Sequence, residues 1–392
     1  MRAAASIAWV LAAACARKDN PEMMATPGQS GAMGRNAEMG SAMVGSGSAS
    51  VGEPLTGTWP LAPPPPPRKQ TPAELAATVE ACLAHGNANE LDALAACYGA
   101  SAVLTIAGAR VPPPSLVGPA NITAQVAAER AGYPDLRADV QLAIASGRDV
   151  VAIVRVAGTH TGVVAAGPEA RTGGFDVPLR DAPATNKKFG YLSANVITFD
   201  DANRIDSETR FFDAATQLGQ LGVTKASVRA IAEPWPAGKQ ILVPRGDDAE
   251  RANQAAYGRF NEALNRHDTA AIGNALADNL VWSEQASPSD RDRKGYLAHL
   301  AQLWRSYSDL RFGALKVWAA GDYVIAVESF AGRNDGDLPG PKGGGPIPRT
   351  LATVNLPMLA VYRFAHGKIA QAWTFHQSTG LAAQLVPAKK RR

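Results

Sequence analysis

The sequence predicts an α+β protein: an N-terminal stretch that does not pack, followed by two copies of one unit in which helices precede strands. Three observations carry this. A helix-start signal at Thr71-Pro72-Ala73-Glu74 recurs at Asp247, with Glu250 three residues on; an oxygen-bearing cap followed by a glutamate satisfies the free N–H groups of a first helical turn. The stretch Gly147 to Gly158 aligns without a gap with Gly321 to Gly332, with identical partners for Gly147, Val150, Ala152, Ala157 and Gly158. Ile205, Phe211, Gln220 and Leu221 find theirs at Ile369, Phe375, Gln384 and Leu385.

The first offset is 174 residues and the second 164, so an intervening loop is ten residues shorter in the second copy. A repeat of about 140 residues is a duplicated domain, because solenoid units run to roughly 50. Leu75, Val79, Cys82 and Leu83 follow the first start signal at helical spacing, and Tyr257, Phe260 and Leu264 follow the second. Each first helix meets a polar break, His85 to Asn89 or Asn265 to Asp268, before a second helix. A connecting segment and several strands come next, the β-branched run after Gly147 marking a buried one. Hairpins are expected at Asp200 to Arg204 and at Ala365 to Lys368.

Residues 1–15 read as an export signal, since Arg2 precedes an apolar run too short to span a bilayer. The run ends in Leu11-Ala12-Ala13-Ala14-Cys15, which resembles a bacterial lipobox and implies lipidation of Cys15, with the chain exported and anchored in the bacterial cell envelope. An uncleaved Ala-rich start is the other reading. Residues 16–70, rich in Gly, Ser and Ala and closed by Pro63 to Pro67, cannot bury enough apolar area to offset chain entropy and form a tether. The first domain is expected over 71–224, a linker over 225–246, the second domain over 247–387 and a basic tail over 388–392. Lys389, Lys390, Arg391 and Arg392 account for the whole net charge of +4, so the body is neutral and no nucleic-acid partner is expected.

Two stretches carry a family resemblance. One is Gly158-Thr159-His160-Thr161-Gly162 with Gly167 and Thr185-Asn186-Lys187; the other is Arg204-Ile205, Glu208, Phe212-Asp213, Thr216 and Gln220-Leu221-Gly222. Together they resemble the SnoaL-like polyketide cyclase, or ester cyclase, group of the nuclear transport factor 2-like superfamily. The resemblance covers about Thr71 to Thr224 and more weakly Asp247 to Pro387. It implies two cone-shaped domains, each a curved, mostly antiparallel sheet wrapped on helices around an apolar cavity for a small hydrophobic molecule. In the cyclases a pocket carboxylate moves a proton while a polar neighbour holds the developing enolate, and burial tunes such a base upward.

On a regular strand from Ile205, residues Ile205, Thr209, Phe211 and Asp213 share one face and Glu208, Arg210 and Phe212 the other. The apolar set is expected on the concave side, which makes Asp213 the acid/base candidate, His160 its partner, and Thr209 and Phe211 ligand contacts. Glu208 and Asp213 cannot both point inward without a bulge, so Glu208 then pairs with Arg210 at the surface. Asp213 equally suits the N-cap of a helix starting at Ala214, and His160 a loop residue bonded to nearby backbone.

In the second copy Asn334 stands at the place of His160, Gln377 at that of Asp213 and Ala372 at that of Glu208. That domain is expected to bind or scaffold, with Trp373, Phe375 and Gln377 lining its pocket. No Cys-x-x-Cys or His-Glu-x-x-His motif is present and the six histidines do not cluster, so neither metal nor cofactor is expected. Cys82 and Cys97 either pair as a disulfide or sit as free thiols between helices. Two readings of function stand: ligand capture, or a cyclase or isomerase acting in the first domain. The two copies either pair within one chain or leave a face for a homodimer.

Overall fold

A computed structural model of the chain describes residues 70–109, 113, 115–163, 183–225, 227–339 and 345–385. The signal segment with Cys15, nearly all of the tether, and the basic tail lie outside the described residues.

The first unit begins with α1 (Pro72–Ala88) and α2 (Leu91–Ala96). Thr71 caps α1 through both halves of a capping box, and Asn89 ends it in the left-handed conformation with φ of 58°. Chain order then departs from the expected run of helices followed by strands. Strands β1 (Tyr98–Ile106) and β2 (Ser115–Val117) precede a third helix, α3 (Pro119–Gly132), which sequence reading had absorbed into a connecting segment. Then come β3 (Arg137–Ser146), β4 (Asp149–Thr159), β5 (Lys188–Phe199), β6 (Ile205–Phe211) and α4 (Ala214–Gln220). Part of the linker forms β7 (Gln240–Leu242), which extends the first sheet at β3.

The second unit repeats the plan with α5 (Asp248–Asn265), α6 (Thr269–Ala275), β8 (Leu276–Glu284), α7 (Arg293–Ser306), β9 (Arg311–Ala320), β10 (Tyr323–Arg333), β11 (Thr353–Ala365), β12 (Lys368–Phe375) and α8 (Ser378–Leu385). Strand orders are β2-β1-β6-β5-β4-β3-β7 and β8-β12-β11-β10-β9, antiparallel except at β1–β6, β3–β7 and β8–β12. Both domains are α+β, a mostly antiparallel sheet with helices packed on one face.

Each sheet has an inner face turned to its own helices. In the first, Leu75 and Val79 of α1 and Ile122 of α3 pack with Val150, Ala152, Val154 and Ile197; in the second, Tyr257 and Phe260 of α5 and Leu300 of α7 pack with Val324, Ala326 and Phe330. The outer faces pack on each other. Leu142, Val151, Ile153 and Phe211 share one buried core with Trp318, Ile325, Leu359, Val361, Trp373 and Phe375. Trp235 of the linker lies 4.2 Å from Trp373 between ring centroids, and its indole N–H donates to the Tyr323 hydroxyl at 3.4 Å. The two copies therefore pair within the chain. Cys82 of α1 and Cys97, the residue after α2, are joined by a disulfide with a Cα–Cα separation of 6.0 Å.

Candidate functional site

One residue decides which side chains enter the first domain's interior. Thr198 pairs with Ser207 but Phe199 pairs with Ile205, which leaves Asp206 as an extra residue on β6. A bulge of this kind flips every later side chain to the opposite face. Ile205 points inward before it; Glu208, Arg210 and Phe212 point inward after it. The expected concave face is therefore reversed. Thr209 and Phe211 face outward, and Phe211 is buried in the core between the domains.

The cavity so formed lies between α1, α3 and the inner face of β4, β5 and β6, with a volume of about 160 Å³. Its walls are mostly apolar, from Val79 and Leu83 to Val126, Val154, Val156 and Phe189. Its floor is a polar network centred on Glu208. The Tyr98 hydroxyl donates to Glu208 Oε2 at 2.8 Å, while Asn195 Nδ2 and Arg210 Nε donate to Oε1 at 3.0 and 2.7 Å. Ser193 donates in turn to Asn195 at 2.7 Å. Glu208 is 3% exposed, so its pair with Arg210 is buried and not the surface pair expected from a regular strand. With three donors on it, the Glu208 carboxylate holds the floor in place and has little capacity left for a ligand.

On α3 the cavity meets a different carboxyl. Glu129 accepts one hydrogen bond, from Gln125 Nε2 at 3.1 Å, and burial raises its pKa against the opposing pulls of Gln125 and Arg210. Four residues on, Tyr133 lines the same cavity, and its hydroxyl is buried without a hydrogen-bond partner among the described residues. A proton acceptor tuned upward and an unspent donor thus border the same space.

Asp213 and His160 are not among the lining side chains. Asp213 follows β6 and caps α4: its Oδ2 accepts from the Thr216 N–H at 3.0 Å and from the Thr216 hydroxyl at 2.8 Å. Its Oδ1 accepts from Ser378 of the second domain. His160 is fully buried, and burial lowers its pKa, so the ring is neutral at pH 7. Its Nδ1 lies 3.2 Å from both the Thr185 N–H and the Thr185 hydroxyl, and its ring packs 5.4 Å from that of Tyr133.

Asn334 makes the same bonds in the second domain, where its Oδ1 accepts from the Thr350 N–H at 2.7 Å and the Thr350 hydroxyl at 3.0 Å. Gly162 and Gly336 each donate to the carbonyl of the residue ending α3 or α7. The Gly-x-His-x-Gly stretch is thus a clamp between that helix and the sheet. Replacing histidine by asparagine preserves it, contrary to the expectation that the change removes chemistry.

The second domain repeats the bulge. Arg363 pairs with Gln371 but Phe364 pairs with Ile369, leaving Ala370 extra. Trp373 and Phe375 consequently face the core between the domains, and Gln377 accepts from the Ala214 N–H at 3.2 Å; none of these three lines a cavity as expected. Thr374 and His376 turn inward instead, onto a cavity of about 70 Å³ that also meets Glu284 and His299. Nearby, Glu328 accepts from the hydroxyls of Tyr257 and Tyr362 at 2.8 and 2.9 Å, and burial pushes its pKa up to about 7 against both bonds. The second interior is therefore not stripped of ionisable groups; they stand on other walls.

Sequence reading missed Glu129, Tyr133, Tyr98 and Asn195. The one available signal was Glu129 and Tyr133 four apart at the end of a helical stretch. Among the described residues no helix is long and apolar enough to cross a membrane, and no group of three His, Cys, Asp or Glu could hold a metal ion.

Residues 76–221 match the family model of the SnoaL-like polyketide cyclase, and residues 257–372 that of the SnoaL-like domain. No curated protein matches the chain. Solved structures that resemble it include AclR of Streptomyces galilaeus, at 17% identity and TM-score 0.31, covering 35% of this chain and 96% of its own. IdmH of Streptomyces antibioticus is 21% identical with TM-score 0.30, over 34% of this chain and 97% of its own. TsrD of Streptomyces laurentii is 22% identical with TM-score 0.31, over 36% and 98%.

Proposed function

We infer, for a chain that belongs to the SnoaL-like family through both of its domains, that the first domain captures a small, largely apolar molecule carrying one carbonyl or hydroxyl group. The observation that carries this is the cavity itself, apolar on its walls and polar at a floor centred on the Glu208 carboxylate. Its volume of about 160 Å³ sets the size of the occupant: an apolar cavity of roughly 150 Å³ holds benzene. A single ring with a short substituent fits, and a fused tetracycle does not. The Leu11–Cys15 pattern supports a lipid anchor that presents this cavity from the bacterial envelope.

Native mass spectrometry of the purified soluble part tests the reading. The expected result is a bound molecule of one-ring size, lost when Ala138→Trp fills the cavity. A protein that carries nothing and takes up no one-ring ketone refutes it.

A second reading, proton transfer, is favoured by Glu129 and Tyr133. A carboxylate takes the proton from the carbon next to a carbonyl, the C–H electron pair moves into the enolate, and the Tyr133 hydroxyl donates to the resulting oxygen. Exchange of the acetophenone methyl protons with deuterated water, followed by NMR, tests this. Glu129→Gln is expected to slow the exchange by roughly 10²-fold or more, the usual scale for a positioned base. An unchanged rate removes the enzymatic reading and leaves the binding one.

A further inference from the structure

The joint between the domains is reciprocal except at one place. Asp213 accepts from Ser378, while Gln377, the repeat partner of Asp213, accepts from Ala214, the repeat partner of Ser378; contacts exchanged in this way make a two-fold relation between the copies. Trp235 of the linker breaks it. Its backbone N–H donates to Gln141 of the first domain at 3.0 Å, its indole N–H donates to Tyr323 of the second, and its ring lies on Trp373, which leaves it 3% exposed. Gln240–Leu242 then run along Leu142–Ile144 and cover the edge of β3.

On the other side of the two-fold the same place is open. The repeat partners of Leu142–Ile144 are Lys316–Trp318 of β9, which among the described residues pairs with β10 alone. Leu315 is the extra residue of a bulge in β9, as its partner Gln141 is in β3, and it is 65% exposed. Lys316 reaches across the joint, its Nζ 2.7 Å from Asp149 Oδ2 and 5.1 Å from the centre of the Trp318 ring. Asp149 is the repeat partner of Tyr323. A bare strand edge with an apolar side chain beside it is a surface for an extended segment.

The chain holds such a segment at the corresponding distance. Trp235-Pro236 begins 12 residues before Asp247, the N-cap of α5, and Trp59-Pro60 begins 12 residues before Thr71, the N-cap of α1. The same gapless alignment sets Pro64-Pro65-Pro66 against Gln240-Ile241-Leu242. Proline has no N–H to give a ladder, so this run closes a strand edge without offering a new one.

We propose that the Trp59-Pro60 segment of the tether docks on the open side of the joint, with the Trp59 ring on Leu315 and Lys316, its indole N–H donating to Asp149, and the proline run along β9.

Each contact has its counterpart at Trp235. The Asp149 carboxylate takes the acceptor role of the Tyr323 hydroxyl, and the Lys316 ammonium supplies a cation for the indole face. The proline run, already extended, gives up little chain entropy on docking. The tether then joins the folded part at Trp59 instead of Thr71, and one tryptophan on each side of the two-fold holds both domains.

Indole N–H resonances of the chain from residue 16 onward, which keeps the whole tether, test the proposal, with Trp59 assigned through Trp59→Phe. The expected result is exchange with water about tenfold or more slower for the Trp59 N–H than in a free peptide of residues 54–70. Leu315→Asp, at an exposed position, is expected to restore the peptide's rate while the other indole resonances stay in place, and Lys316→Ala to raise the rate part of the way. Exchange at the peptide's rate in the parent, or protection unchanged in both variants, overturns the proposal. So does protection that grows with protein concentration, which marks docking on a second copy. Neither cavity enters the readout, so the outcome is independent of the reading of the first domain.

Discussion

Asp213 of the first domain accepts hydrogen bonds from the Ser378 N–H and hydroxyl of the second, at 3.0 and 2.6 Å. Gln377, the repeat partner of Asp213, returns the favour by accepting from Ala214. Each domain thus caps the first turn of the other's last helix. The preceding residues, Phe212 and His376, line their own cavities, so the joint between the domains sits one residue from each interior.

Asp213→Ala leaves the first turns of α4 and α8 without their shared cap in a buried setting. The cost is expected at about 2–3 kcal/mol, from the scale of lost caps and unsatisfied buried donors. Urea unfolding measures it. A loss under about 0.5 kcal/mol contradicts the capping role.

His160→Asn reproduces what Asn334 does and is expected to leave stability within about 1 kcal/mol, whereas His160→Ala frees the half-buried Thr185 donors and costs more. Gly162→Ala is expected to be worse than either, because a Cβ there runs into the Ala131 carbonyl oxygen. Thermal unfolding of the three variants gives the order; a severe loss in His160→Asn alone points to chemistry and not to a clamp.

Glu328 makes stability depend on pH. Its folded pKa of about 7 lies above the ordinary carboxyl value of 4.5. The folded state therefore holds the proton more tightly, and stability falls as pH rises from about 4.5 to about 7, then levels off. Glu328→Gln removes that slope, so the variant gains on the parent by a few kcal/mol across the window, at roughly 1.4 kcal/mol per unit. Urea midpoints at pH 5 and pH 8 check this; a constant difference shows that Glu328 does not titrate there.

Breaking the Cys82–Cys97 bridge, which spans a sequence separation of 15, is expected to cost about 3 kcal/mol in the chain-entropy account. Unfolding of the Cys82→Ser, Cys97→Ser double variant measures it, and thiol titration of the denatured, non-reduced parent must find neither cysteine free.

The architecture was legible because its signals are local and occur twice. The capping residues Thr71 and Asp247, the β-branched run after Gly147 and its copy after Gly321, and the hairpin positions all follow from near neighbours. The site was not legible, because face assignment on β6 and β12 hinges on bulges at Asp206 and Ala370. Nothing in Arg204-Ile205-Asp206-Ser207 announces an extra residue, and a single slip exchanged Glu208 and Arg210 for Thr209 and Phe211. Helix α3 was missed because Pro119 to Gly132 carries only scattered apolar residues. Glu328, a lone carboxylate within the buried run of β10, was the clearest unread sign that the second interior is ionisable.

Calorimetric titration of the soluble part with acetophenone, alongside Ala138→Trp, addresses the first cavity most directly. One saturable site present in the parent and absent from the filled variant is the predicted outcome. Heat that never saturates, or a site that survives the tryptophan, contradicts the assignment of ligand binding to this interior.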